Sequence, residues 1–244
     1  MQLRLIFILG IVFLINFTAC KNNTPEKTEK SISENIRITG ISVWDRISAK
    51  SEPLRNAPRA SLLSLGESFI YLDTFAIDSS SNNTKFLKVR LSDSTDVWVY
   101  DFASVLYAKP AVVTEEVPLY LRPDLLTISD TRLHIMEIVA VVEEWDDWIK
   151  VVNEKKENTG WIKKNYLRYE EVDLAFSLLV KRVMEIEDSE QKIDKLEDLL
   201  ENNPYPNTIF IADLRTILDA EKELMREREY EDDRENQDRR DRNR

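Results

Sequence analysis

The stretch 143-EEWDDWIKVVNEKKENTGWIKKNYL-167 decides the fold. Two short runs rich in Trp, Ile and Val, Trp148 to Val152 and Trp161 to Ile162, flank the polar segment Asn153 to Gly160, which holds the only glycine in this region. The pattern predicts a β-hairpin. Ile149 and Val151 alternate with Trp148, Lys150 and Val152, as in a strand covered unequally on its two faces. Gly160 supplies either a positive φ or a close backbone approach at the entry to the second strand.

Working outward, Leu119-Tyr120-Leu121-Arg122-Pro123 lies upstream, followed by the apolar run His134 to Val142, expected as the central strand. Asn165-Tyr166-Leu167 closes the segment. This arrangement resembles a bacterial SH3-like domain. Trp148-Ile-Lys-Val151, Gly160-Trp161-Ile162 and Tyr166-Leu167 occupy its recurrent positions.

A second, diverged copy lies earlier in the chain. Phe86-Leu87-Lys88-Val89-Arg90, the polar turn Ser92 to Asp96 and Trp98-Val99 repeat the hairpin, with Phe86 in place of the tryptophan and Val97 where the glycine stands. Leu54-Arg55 with Pro58, and Leu63, Gly66 and Phe69, resemble the family's approach to the central strand. The resemblance implies a mainly β protein with an α-helical C-terminal appendage and two small SH3-like β-barrels in tandem, at residues 36–108 and 112–169.

Before the first module, residues 1–19 carry one charge, Arg4, and a short apolar run, the layout of a secretory signal. Phe17-Thr18-Ala19-Cys20 resembles a bacterial lipobox, which implies lipidation of Cys20, the only cysteine. Residues 20–35 then read as the lipidated cysteine and a flexible polar tether. Lys21, which is not aspartate, points to the outer membrane.

After Tyr169 the hydrophobic period lengthens. Val172, Phe176, Leu179, Val180 and Val183 predict one amphipathic helix, Ile193, Leu196, Leu199 and Leu200 a second that stops at Pro204, and Ile211, Leu214, Ile217 and Leu218 a third, capped by Thr208. These helices occupy residues 170–226, their stripes read first as core. Residues 227–244 form a charged tail; from Glu221 to Arg244 eight basic residues face ten acidic ones, so the favourable and unfavourable pairs largely cancel and the tail is expected to fray.

Composition narrows the chemistry. The chain has 244 residues and a formal net charge of -11, which disfavours nucleic acid as a partner. Cys20 sits in the lipobox and His134 is the sole histidine, so a Cys–His catalytic pair and an ordinary zinc site both lack residues. No glycine-rich phosphate loop is present. No catalytic residue, metal or cofactor is assigned.

Binding remains. The candidate ligand-binding residues are Tyr120, Arg122, Trp145, Asp147 and Tyr166, all in the second module, where aromatic surface can hold a peptide or a glycan. Trp145, flanked by four acids, is expected to be exposed. The sequence thus suggests a non-catalytic, lipid-anchored protein of the cell envelope. Its partners would be the membrane, through Cys20, and peptidoglycan or an envelope protein. A scaffold or assembly role through the C-terminal helices is the alternative.

Overall fold

The computed structural model describes residues 37–242. The expected signal segment, Cys20 and the expected tether lie outside them. Two antiparallel sheets follow one another. The first holds β1 (Thr39–Ser42), β2 (Ile47–Lys50), β3 (Arg59–Leu63), β4 (Ser68–Asp78), β5 (Thr84–Arg90), β6 (Asp96–Tyr100) and β7 (Ser104–Leu106). The second holds β8 (Lys109–Val113), β9 (Val117–Tyr120), β10 (Ile128–Leu133), β11 (Ile138–Trp145), β12 (Trp148–Val152), β13 (Thr159–Lys163) and β14 (Leu167–Arg168). Then come α1 (Glu171–Met184), α2 (Ser189–Glu201) and α3 (Ile211–Arg242). The protein is mainly β with a helical end.

The strand order is β3-β2-β6-β5-β4-β1-β7 in the first sheet and β10-β9-β13-β12-β11-β8-β14 in the second, the same permutation twice. The register repeats as well: Phe86 pairs with Tyr100 and Trp148 with Lys163, while Lys50 pairs with Trp98 and Tyr120 with Trp161. The expected closure into barrels does not occur. The outermost strands of each sheet do not pair with each other, and β7 and β14, three and two residues long, are too short to complete a ring.

The deciding hairpin pairs Trp148 with Lys163, Ile149 with Ile162 and Val151 with Gly160. Gly160 serves a close approach: a Cβ there would lie 3.0 Å from Leu119 Cβ and 3.1 Å from the Tyr120 carbonyl oxygen. The left-handed turn residues are instead Lys155 (φ 57°) and Lys156 (φ 59°). The first module holds them: the Lys155 N–H donates to the Val43 carbonyl at 2.7 Å, and Lys156 Nζ to the Asp101 carbonyl at 3.2 Å.

The central strand of the second sheet begins at Ile138, not at His134. Residues 134–137 form a turn in which the Glu137 carboxylate accepts the His134 N–H at 2.9 Å, as Glu67 accepts that of Ser64 in the first sheet. Met136 (φ 61°) stands where the first copy has Gly66 (φ 79°). Its side chain is buried among the helices, and that packing offsets the cost of a left-handed methionine.

Each sheet closes over its own core: Phe69, Leu87, Val89, Val97 and Val99 in the first; Val117, Leu133, Val139, Ile149, Val151 and Ile162 in the second. Ile41 and Val43 of the first module pack on Ala140 and Val152 of the second. The helices lie on the second sheet, with Phe176, Val180, Leu196, Phe210 and Leu214 covering Val112, Met136 and Ile138. They also reach the first module. Leu65 enters the helical core, and Arg182 of α1 forks onto Asp45, with Nε to Oδ2 at 2.9 Å and Nη2 to Oδ1 at 2.8 Å.

Of the last two helices, α2 has a side-chain cap and α3 lacks the one expected from Thr208. Asp188 accepts the Gln191 N–H at 2.8 Å and caps α2. Thr208 donates to the buried Asp173 of α1 at 2.8 Å and accepts the Phe210 N–H at 3.4 Å just before α3. The charged tail, expected to fray, continues α3 to Arg242, and every described side chain from Arg226 onward is exposed. Among the described residues no helix is long and apolar enough to cross a membrane.

Candidate ligand groove

The second module does not gather the expected ligand residues into one site. Tyr120 packs edge-on against Trp148 at 5.0 Å between ring centroids, and Lys163 Nζ lies 4.2 Å from the same ring, so this aromatic surface is covered by its own neighbours. Trp145 and Asp147 sit at the tip of the β11–β12 turn, Trp145 exposed as expected. Arg122 lies in the loop after β9, and Tyr166 is half-buried against the core. No hydrogen bond or ring contact joins Arg122, Trp145, Asp147 and Tyr166 among the described residues.

The first module instead carries a groove of about 540 Å³. Its floor is an aromatic ladder. The Trp44 ring meets Phe102 edge-on at 5.4 Å, Phe102 lies 5.1 Å from Tyr100, and Tyr100 lies 4.7 Å from the buried Phe86. Trp44 leaves the end of β1, Tyr100 ends β6, and Phe102 projects from a short 3-10 turn, Asp101–Ala103. Phe102 stays 47% exposed, so the ladder has a free apolar face.

Three cations rim this floor: Arg46, Lys50 and Arg55. The one acid among the lining residues, Asp45, is bound by Arg182 at 2.8 Å and also pairs with Arg46 at 3.6 Å, so Arg46 is partly neutralised while Arg55 is not. Burial works against ionisation of Asp45, but hydrogen bonds from Arg182 and the Leu65 N–H outweigh it and hold the carboxyl below the usual carboxylate range. Lys50 Nζ donates to the Ala57 carbonyl at 3.1 Å. Arg55 makes no ion pair among the described residues. Its loop is set by the buried Asp78, which accepts the Arg55 N–H at 2.9 Å and the Ser80 N–H at 3.0 Å. Those bonds keep the Asp78 carboxyl below the usual range. The groove therefore favours an anion, although the whole chain is acidic.

Sequence reading missed this site because it weighed the clearer copy. A signal was present: Trp98, Tyr100 and Phe102 recur at every second residue, and Leu54-Arg55 opens the same module.

No family model and no curated protein matches the chain. Among solved structures, NlpC2 from Trichomonas vaginalis matches at 13% identity and a TM-score of 0.24, over 68% of this chain and 56% of the other. NlpC1 from the same organism matches at 15% identity and a TM-score of 0.25, over 60% and 52%. The chain thus spans about half the length of the structures it matches.

These matches correct the functional expectation. The structures are named as NlpC proteins, and nothing in the matches supports a non-catalytic assignment; at such TM-scores they assign no activity either. The scarcity of Cys and His bears on a Cys–His pair and an ordinary zinc site and on no other chemistry. Neither the non-catalytic wall-binding role nor the helix-scaffold role is carried forward.

Proposed function

We propose that this chain is a ligand-recognition protein built from two diverged SH3-like modules, in which the groove of the first takes an extended acidic polypeptide segment. One observation carries the reading: Arg55, without an ion pair among the described residues, stands beside the ladder whose exposed member is Phe102, with Tyr100 and Trp44 half-buried on either side and Lys155 Nζ 5.7 Å from the Trp44 ring. Carboxylates of the ligand meet Arg55, Arg46 and Lys50, and an apolar or aromatic side chain lies on Phe102. The repeated strand order, with the motifs around Trp98 and Trp161, supports the SH3-like reading.

Attachment at Cys20 belongs to this proposal and is supported by Phe17-Thr18-Ala19-Cys20 alone. It would hold the groove at the cell envelope, at the outer membrane if Lys21 is read as above.

The test is fluorescence anisotropy with a fluorescein-labelled Glu-Glu-Tyr-Glu-Glu peptide and its lysine counterpart, on the chain without its first 19 residues and carrying Cys20→Ser. The acidic peptide should bind saturably, the basic one should not, and Arg55→Glu should weaken binding by roughly tenfold or more. Added salt should weaken it further. Equal binding of both peptides, or of neither, would sink the proposal.

A further inference from the structure

A separate cleft of about 470 Å³ lies between the second sheet and the helices. One stripe of α1 lines it: Ser177, Val180, Lys181 and Met184, at helical spacings of three and four. Opposite are Ile135 and Met136 of the turn before β11 and Ile138 at the start of that strand, with Leu65 from the first module and Ile217 from α3. The apolar wall is entirely aliphatic or thioether, with no aromatic ring.

Most polar groups at its mouth are engaged within the protein, and Glu157 is open to water. Lys181 pairs with Glu154 at 3.2 Å and with Glu185, and Arg132 with Glu116. Glu137 holds the His134 N–H on one oxygen and Asn153 Nδ2 on the other, at 3.1 Å. One group is different. The Ser177 hydroxyl is fully buried, lines the cleft and has no hydrogen-bond partner within the protein. A buried hydroxyl left unpaired has given up its hydration with nothing in return, so a ligand that supplies the missing partner gains an interaction water-exposed sites do not offer.

We infer that this cleft is a binding site for a small aliphatic molecule bearing one uncharged hydrogen-bonding group, a hydroxyl or a carbonyl. The aliphatic wall takes the hydrocarbon body, and Ser177 pairs with the polar group. A charged group at that depth would lose its hydration with only one hydroxyl to replace it. Sugars, which stack on aromatic faces, lack a platform here. The cleft is distinct from the groove of the first module, and the inference stands independently of the function proposed there.

Two of the four methionines, Met136 and Met184, line this cleft, and Met225 does not. The chain without its first 19 residues, carrying Cys20→Ser and ¹³C-methyl methionine, is therefore titrated with 1-hexanol, hexanoate and hexylamine while the methyl resonances are followed by NMR. Hexanol should shift the Met136 and Met184 signals saturably and leave Met225 in place, and the two charged analogues should not. Ser177→Ala should keep the spectrum of the free protein and weaken hexanol by roughly fivefold, about one neutral hydrogen bond. Unshifted Met136 and Met184 signals, equal shifts with hexanoate, or undiminished binding to Ser177→Ala would each overturn the inference.

Discussion

Arg182→Ala tests how the helical end is tied to the first module. Asp45 is 7% exposed at its side chain and Arg182 27%, so the pair is neither a surface ion pair nor a fully dry one. Two charge-assisted bonds, at 2.8 and 2.9 Å, and a third from Arg182 Nη2 to Ser64 Oγ at 3.0 Å are lost together. An exposed pair contributes about 0–1 kcal/mol, whereas stranding one partner of a buried pair costs about 3–5. The intermediate exposure places Arg182→Ala at about 2–3 kcal/mol. In urea unfolding at neutral pH, a cycle of Arg182→Ala, Asp45→Ala and the double variant should show a coupling of about 1–2 kcal/mol.

The pH dependence has a definite sign. The Asp45 carboxyl ionises below its ordinary range in the folded protein, so its contribution is complete above the unfolded value and lost as pH falls through the folded one. Stability of the parent should drop in acid, and Asp45→Asn should flatten that drop. A cost of under about 0.5 kcal/mol for Arg182→Ala with no coupling would refute the tie, since that is the range of ordinary surface substitutions.

Other outcomes follow from the same geometry. Ser177→Ala should raise the unfolding free energy of the ligand-free protein by about 0.5–1 kcal/mol in chemical denaturation, because it removes an unpaired buried hydroxyl. At Met136 the usual order should reverse. Alanine loses the packing and keeps the left-handed strain, so Met136→Gly should be less destabilising than Met136→Ala by about 0.5–1 kcal/mol in urea unfolding. Truncation after Met225 should lower helical circular dichroism yet change stability by less than about 0.5 kcal/mol, since every described side chain beyond it is exposed.

The hairpin and the repeat were legible because short-range pattern sets them: apolar Trp148 to Val152, buried at every position but Lys150, is set off by a polar turn from Trp161 and Ile162, and Phe86 to Val99 repeats it. The helices announced themselves by period; the Asp188 cap of α2 was not read, and Thr208, expected as the cap of α3, bonds to Asp173 and to the Phe210 N–H ahead of the helix instead. What was missed depends on groups distant in the chain. The turn at Lys155 and Lys156 is held by Val43 and Asp101, and no local signal could place two lysines at positive φ. His134 looked like a strand residue because apolar neighbours follow it, whereas the Glu137 side chain turns the backbone there.

The ligand groove was illegible for a related reason. Trp44, Arg55 and Phe102 come from three separate connections, and only the strand pairing of the first sheet brings them together. The second copy had the stronger motifs, yet its Tyr120 and Lys163 are spent on covering Trp148.

The exposed half of α3 works as a built-in ruler. Leu218 is buried against the body and Arg242 ends the helix, so at 1.5 Å per residue their separation is about 36 Å while the helix is continuous. Paired spin labels at Thr216 and Arg240, both exposed, would read that span directly, and any shortening would report bending of the arm before the body itself had changed.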